Sequence, residues 1–338
     1  MRSANHRVNI DHSNTVRSLS KNTTTLSTTM SVRLLSQLNS PAIVLSAGAA
    51  VLAGLPVASA FFLTGGASLG LLQAANVTAY ALNCASVSVP GRIDGQAQEE
   101  MQGKKAGDDK TYQTVYSPKK GRSLIAPAGW AFAIWGPIFA GEAIFCGSFL
   151  LGASDAVMAN LPAITAPFVA ANLFQCLWCS SFRPSYMTGS WEKYVSMGML
   201  GGTAFCLSLV HATAAASSWY FLPLTMHFGW TTAATLVNLN GSVAMSDASD
   251  RTVIAVGHTS TVLATLLGVG VTLAQHSPAY GLTVAWALAA CADGMKKRRA
   301  EGNAVSSDIA AGMKVQQMLC YAGSGLCAAA AAASYLSL

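Results

Sequence analysis

The residues that could do chemistry lie inside the most apolar parts of this chain. Glu142 is the one charged residue between Arg122 and Asp155, and it stands seven positions after Trp135, on the same face of a helix. An ionisable group at hydrocarbon depth is expensive and marks a candidate site. No Lys or Arg falls within any later apolar run, so its partner must be His211, His227, His258 or a Ser/Thr hydroxyl. A protonated Glu142 bonded to a neighbouring helix for structural reasons alone is the competing reading. Further groups recur at helical spacing: Asn172, Phe174, Gln175, Trp178 and Phe182, then His227, Trp230, Thr231, Ala234 and Asn238, with Asn240 nearby. Several segments thus each bring Trp together with Asn or Gln, the make-up of an apolar pocket with a few polar groups to orient a ligand. Asn172, Asn238 and Asn240 carry a second reading, because amides in apolar helices also bond across helix interfaces. Trp130 carries one as well, since indoles anchor at the membrane surface.

Other chemistries find less support. The eight cysteines all fall in or beside apolar runs, and Cys176-Leu177-Trp178-Cys179 lacks the second pair that a zinc site needs, so they are expected to pack as small apolar residues. His211, His227 and His258 have no attachment or spacing motif for haem iron. No Walker-type glycine loop is present, which argues against an ATP-driven pump. No metal site, catalytic residue or required cofactor is expected, and nucleic-acid binding is excluded by the scatter of the basic residues in short clusters.

The elements that must position these residues follow from charge. The chain is 52% hydrophobic and only 10% charged, with a net charge of +6, against about 25% charge in a soluble domain. Residues 34–91, 156–182, 194–246, 252–292 and 315–338 carry no charge at all. About 20 apolar residues already cross a bilayer, so the chain is expected to be an all-α polytopic membrane bundle. Turn residues divide the long runs into spans at roughly 41–60, 66–89, 124–152, 158–182, 193–216, 219–245, 252–274, 278–294 and 313–336. Within the third span, Pro127 suits a first helical turn and Pro137 is expected to kink the helix. Counted from Gly66, the loops after the first, third, fifth and seventh spans hold Lys and Arg, including Lys296, Lys297, Arg298 and Arg299, whereas the loops after the second, fourth and sixth hold none. By the positive-inside rule the basic loops face the cytosol or its organellar equivalent. The segment 91–122 reads as a solvated linker.

Residues 1–40 carry Arg2, Arg7, Arg17, Lys21 and Arg33 among Ser, Thr and Asn, the composition of a targeting segment, with a disordered tail as the alternative. From Met30 a short basic start leads into the apolar run Ile43–Leu55 and then Val57-Ala58-Ser59-Ala60 before Phe61, which suits signal peptidase. Ala58-Ser59-Ala60-Phe61 also resembles the cleavage motif of two-part plastid signals in algae with secondary plastids. The expected organisation is therefore a targeting region over 1–65, a bundle over 66–299 and an additional helix within 300–338, with eight spans left after cleavage and nine without it. A plastid membrane is favoured over mitochondrial and endomembrane locations.

Three stretches carry a resemblance: Pro127-Ala128-Gly129-Trp130-Ala131-Phe132-Ala133-Ile134-Trp135, Asn172 through Trp178 to Phe182, and Phe228-Gly229-Trp230 through Asn238-Leu239-Asn240. In order and spacing they resemble the signature segments of the TspO/MBR family, the tryptophan-rich sensory proteins related to the translocator or peripheral benzodiazepine receptor. Tyr280 to Ala292, with Trp286, resembles a late helix of the longer members. The resemblance implies five core helices around a pocket for tetrapyrroles, sterols and other flat apolar ligands, often in a homodimer. It would place Trp130, Phe132, Trp135, Asn172, Trp178, Trp230, Asn238 and Asn240 in that pocket or its supports, beside Glu142 and His227 from the reading above. This chain lacks the paired prolines of short members and has Phe139 where they have Tyr, so the ligand does not carry across. The expected function is binding of a hydrophobic small molecule for sensing or transport. The rivals are a proton-coupled secondary transporter, an enzyme that degrades porphyrin and a structural subunit of a larger membrane complex.

Overall fold

In the computed structural model, residues 39–88, 120–149, 155–182, 186, 189–214, 218–300 and 305–337 are described. The targeting segment before Asn39 and most of the 91–122 linker lie outside them. The described residues form long helices and no strand: α1 (Pro41–Leu63), α2 (Leu69–Ser88), α3 (Trp135–Ser148), α4 (Asp155–Ser181), α5 (Val195–Ala214), α6 (Leu222–Met245), α7 (Asp250–Ala274), α8 (Pro278–Ala300) and α9 (Ser307–Leu336). In number and order these helices match the nine expected segments. Six of them, α1, α4, α5, α7, α9 and α3 taken with its preceding turn, are long and apolar enough to cross a membrane. The other three, α2, α6 and α8, are long enough but less apolar, because they carry Asn76 and Asn83, His227, Asn238 and Asn240, and the basic end at Lys296–Arg299.

The third span differs from expectation. Leu124–Ala128 is not helical, Gly129–Ile134 is a six-residue 3₁₀ turn, and α-helix begins only at Trp135. Pro127 therefore precedes the helix, and Pro137 falls in the first turn of α3 instead of kinking a helix already under way. The reason is the missing N–H of Pro137, which is no loss only where backbone donors have no helical partner. The tighter 3₁₀ turn ahead of it uses the shorter i→i+3 bonds.

Residues 126–131 are fastened to α8 along its length. Ala128 N–H donates to Ala290 O (2.8 Å), and the Trp286 indole N–H donates to Ala131 O (3.1 Å). Trp130 Nε1 donates to Asp293 Oδ2 (3.0 Å), and the Trp130 and Trp286 rings meet edge to face at 4.6 Å. Gly294 allows the approach, since a Cβ there would lie 1.9 Å from Ala126 O.

In hydrocarbon, helices are held by packing and interhelical hydrogen bonds more than by burial from water. Helices α1 and α2 lie against α4, which also packs on α5, and α9 lies against α7 and α8. Gly65, at φ 80°, makes the turn between α1 and α2. Helix α2 docks through amides: Asn76 Nδ2 donates to Thr165 Oγ1 (2.8 Å), and Asn83 Nδ2 donates to Asn172 Oδ1 (2.9 Å) and Gln175 Oε1 (3.1 Å). Both pairs join residues 89 apart in sequence, so α2 and α4 run parallel in one fixed register. Towards the loops without Lys or Arg, the bundle is filled by Phe145, Phe149, Phe168 and Phe221 with Leu161, Ile164 and Leu224. Towards the basic loops it is hollow.

Candidate functional site

The hollow is a cavity of about 410 Å³ lined from five helices: Phe132 and Trp135 around the start of α3, Trp178 on α4, Leu200 on α5, Trp230, Val237 and Asn238 on α6, and Ala287, Cys291 and Arg298 on α8. Its size lies in the range of small-molecule sites. Four aromatic side chains, Phe132 and Trp135 around the start of α3, Trp178 on α4 and Trp230 on α6, make its walls, with Phe182 beside Trp178. Trp135 and Phe132 each meet Trp230 edge to face at 6.0 Å, and Trp178 stacks on Phe182 at 5.3 Å. Trp230 is buried, whereas Phe132 and Phe182 are exposed at the rim. The polar lining gathers nearer the basic loops, in Ser123, Asn238, Ser242 and Arg298. Asn238 Oδ1 accepts from Ser196 Oγ (3.3 Å) and from Trp178 Nε1 (3.4 Å), which ties an amide of α6 to a wall of α4.

Behind Trp135 sits the buried acid. Glu142 Oε1 and His227 Nδ1 are 2.7 Å apart, with the two side chains 0 and 1% exposed. Of the partners open to Glu142 on sequence grounds, His227 is the one bonded to it. The Trp135 and His227 rings meet edge to face at 5.5 Å, and Phe139 stacks on Trp135 at 5.3 Å. The pair therefore lies one aromatic layer beneath the cavity surface and does not line it. Tyr80 of α2 donates to Phe139 O (2.8 Å) and braces the same turn from outside.

Of the ten residues singled out in the sequence, the structure brings Phe132, Trp135, Trp178, Trp230 and Asn238 to one surface. The other five are elsewhere. Trp130 packs outside the cavity on Trp286, Asn172 serves the α2–α4 contact, and Asn240 Nδ2 donates to Ser260 Oγ of α7 (2.9 Å). Glu142 and His227 form the pair just described. For Asn172 and Asn240 the bond across a helix interface is the arrangement observed. The three histidines take separate partners: His211 lies 3.0 Å from Thr225 Oγ1 and His258 lies 2.7 Å from Gln316 Oε1. Among the described residues no group of three or more His, Cys, Asp or Glu is placed to hold a metal ion. Sequence reasoning missed Arg298, Ser123 and Ser242, although Ala287, Cys291 and Arg298 stand four and then seven apart, the spacing of a single helical face.

The family model of the TSPO-like protein matches residues 108–321, well over half of the chain. The chain belongs to the TSPO-like family. Every residue that lines the cavity falls inside the matched stretch, as do helices α3 to α8 complete, whereas α1, α2 and the end of α9 fall outside it. No curated protein and no solved structure gives a significant match. Membership carries a multi-pass helical membrane protein of a ligand-binding or sensing kind, and the residues of this member supply the rest.

Proposed function

We propose that this protein binds a flat, largely apolar small molecule in the cavity between α3, α4, α5, α6 and α8, and either carries it or reports its level. The observation that carries the reading is the convergence of Trp135, Trp178 and Trp230 from three separate segments on one hollow of about 410 Å³. Indole faces favour flat conjugated rings, and Asn238 offers a polar group to a peripheral hydroxyl or carboxylate, so tetrapyrroles and sterol-like molecules are the ligand classes that fit. The test is tryptophan fluorescence of detergent-purified protein titrated with porphyrins, chlorophyll precursors, sterols and carotenoids, repeated with Trp135→Ala and Trp230→Ala. Loss of a stacked ring should weaken the best ligand by about tenfold or more. Equal binding by both variants and the parent would sink the assignment.

A second reading rests on the Glu142–His227 pair, which could relay a proton one layer from the cavity. Proton-coupled uptake of the ligand into proteoliposomes, abolished by Glu142→Gln, would favour transport over sensing. We further propose an organellar membrane as the location, a plastid one on the strength of Ala58–Phe61. Imaging of a C-terminally tagged chain tests that placement. Homodimerisation, proposed on family grounds, is checked by mass in detergent.

A further inference from the structure

Outside the cavity, α8 and α9 leave positive charge facing lipid at the ends nearest the basic loops. Helix α9 has 30 residues, about 45 Å of helix, whereas a hydrocarbon core of about 30 Å needs only about 20. Its uncharged run starts at Val315, so Lys314 stands where the hydrocarbon ends and the phosphates of a bilayer begin. The Lys314 side chain is exposed, and no hydrogen bond or ion pair joins it to another described residue. Val315, Met318 and Tyr321 are exposed beside it, on the way to the acyl chains.

Helix α8 brings a second cation to the same place. Ser324 Oγ donates to Ala285 O (2.9 Å) and Arg299 Nη1 donates to Gln317 Oε1 (2.7 Å), so the two helices run antiparallel. Gln317 is one turn past Lys314, and residues three apart on a helix are neighbours. The bond to Gln317 therefore holds the exposed Arg299 guanidinium within a turn of the Lys314 ammonium, and Lys296 adds a third exposed cation one turn before Arg299. The described acids at this end are placed elsewhere. Asp293 accepts from Trp130, and Asp250 is held by Arg122 and Ser306. Asp308 lies six residues before Lys314, which turns α9 by about 240° and puts it on another face.

We propose that Arg299 and Lys314 bind the headgroup phosphate of an anionic phospholipid, whose acyl chains run along Met318 and Tyr321. A guanidinium fork beside an ammonium suits a phosphate, and basic side chains at this depth draw anionic lipid by charge. A zwitterionic lipid offers the same phosphate but adds a cation that Lys296 repels. Neither Arg299 nor Lys314 lines the cavity, so this site does not rest on the ligand reading above.

The experiment titrates the full chain in neutral detergent with phosphatidylglycerol, phosphatidylcholine and inorganic phosphate. Retained lipid is counted by native mass spectrometry, and the melting temperature is followed in parallel. The parent should bind phosphatidylglycerol about tenfold or more tighter than phosphatidylcholine, with the preference shrinking as salt rises. Lys314→Gln removes no side-chain bond to a described residue and should lose part of the preference. Arg299→Gln combined with Lys314→Gln should bind the two lipids alike. Arg251→Gln removes an exposed cation of α7 and should keep the full preference. Equal binding of both lipids by the parent, or a preference unchanged in Lys314→Gln, overturns the site even where the double variant fails to fold. So does a loss in Arg251→Gln as large as in Lys314→Gln, which would mark total charge and not place. Inorganic phosphate that displaces the lipid, or stabilises the parent as much, would make this a free-anion site and overturn the lipid assignment.

Discussion

Removing Glu142 and His227 separately and then together tests the buried pair. The bond between Oε1 and Nδ1 is 2.7 Å long, and neither Glu142 Oε2 nor His227 Nε2 has a hydrogen-bond partner among the described residues. Glu142→Ala strands Nδ1 of the imidazole, and His227→Ala strands the carboxyl. Each single change thus forfeits the bond and leaves a polar group unmatched, at about 1–3 kcal/mol. His227→Ala should be the more damaging, since Trp135 also packs edge to face with that ring. In the double variant nothing is stranded, so its loss should fall short of the sum of the single losses. The shortfall should be about 1–2 kcal/mol, the upper part of the range for side-chain hydrogen bonds between membrane helices. The assay is reversible unfolding of the four proteins in mixed micelles, followed by far-ultraviolet circular dichroism. Additivity to within about 0.3 kcal/mol would refute the bond, and a coupling above about 3 kcal/mol would instead mark a charge-separated pair.

Gly294→Ala should lift the strapped segment from α8, because the new methyl would meet Ala126 O at 1.9 Å. A destabilisation of about 1–3 kcal/mol is expected, with a lower melting temperature in detergent and weaker ligand binding. Trp286→Phe removes the donor to Ala131 O while keeping an aromatic ring against Trp130. It should destabilise by about 1 kcal/mol, measured by the same unfolding titration. Asn83→Leu leaves Asn172 Oδ1 and Gln175 Oε1 without their donor. It should loosen α2 by about 1 kcal/mol, seen as faster hydrogen exchange in α2 with α5 to α8 unaffected.

The number and order of the helices were legible because charge is confined to the ends of apolar runs, and a bilayer reads charge before it reads anything else. The start of α3 was not, because Pro137 is compatible both with a kink and with a first turn, and the difference depends on Gly294 admitting the strap. Trp135, Trp178, Trp230 and Asn238 could be proposed from their spacing, since residues four apart share a face whatever the tertiary fold. Asn172 could not be assigned from sequence: its amide suits a ligand as well as it suits Asn83, and only the packing of α2 decides between them. Arg298 was hidden inside a run of four basic residues. That run reports which side of the membrane it faces, whereas the one member that turns inward is picked out by the register of α8.

The two amide contacts of α2 bear on how this chain is made. When Asn76 and Asn83 leave the ribosome, their acceptors Thr165 and Asn172 are still 89 codons away. Until α4 is synthesised, two polar side chains wait at the depth of lipid tails, and α2 has every incentive to stay beside the insertion machinery instead of drifting into the bilayer. The fit of α2 against α4 is then expected to act as a timer as well, with the nascent helix released laterally only when its counterpart arrives and the N-terminal pair joining the bundle late even though it is translated first.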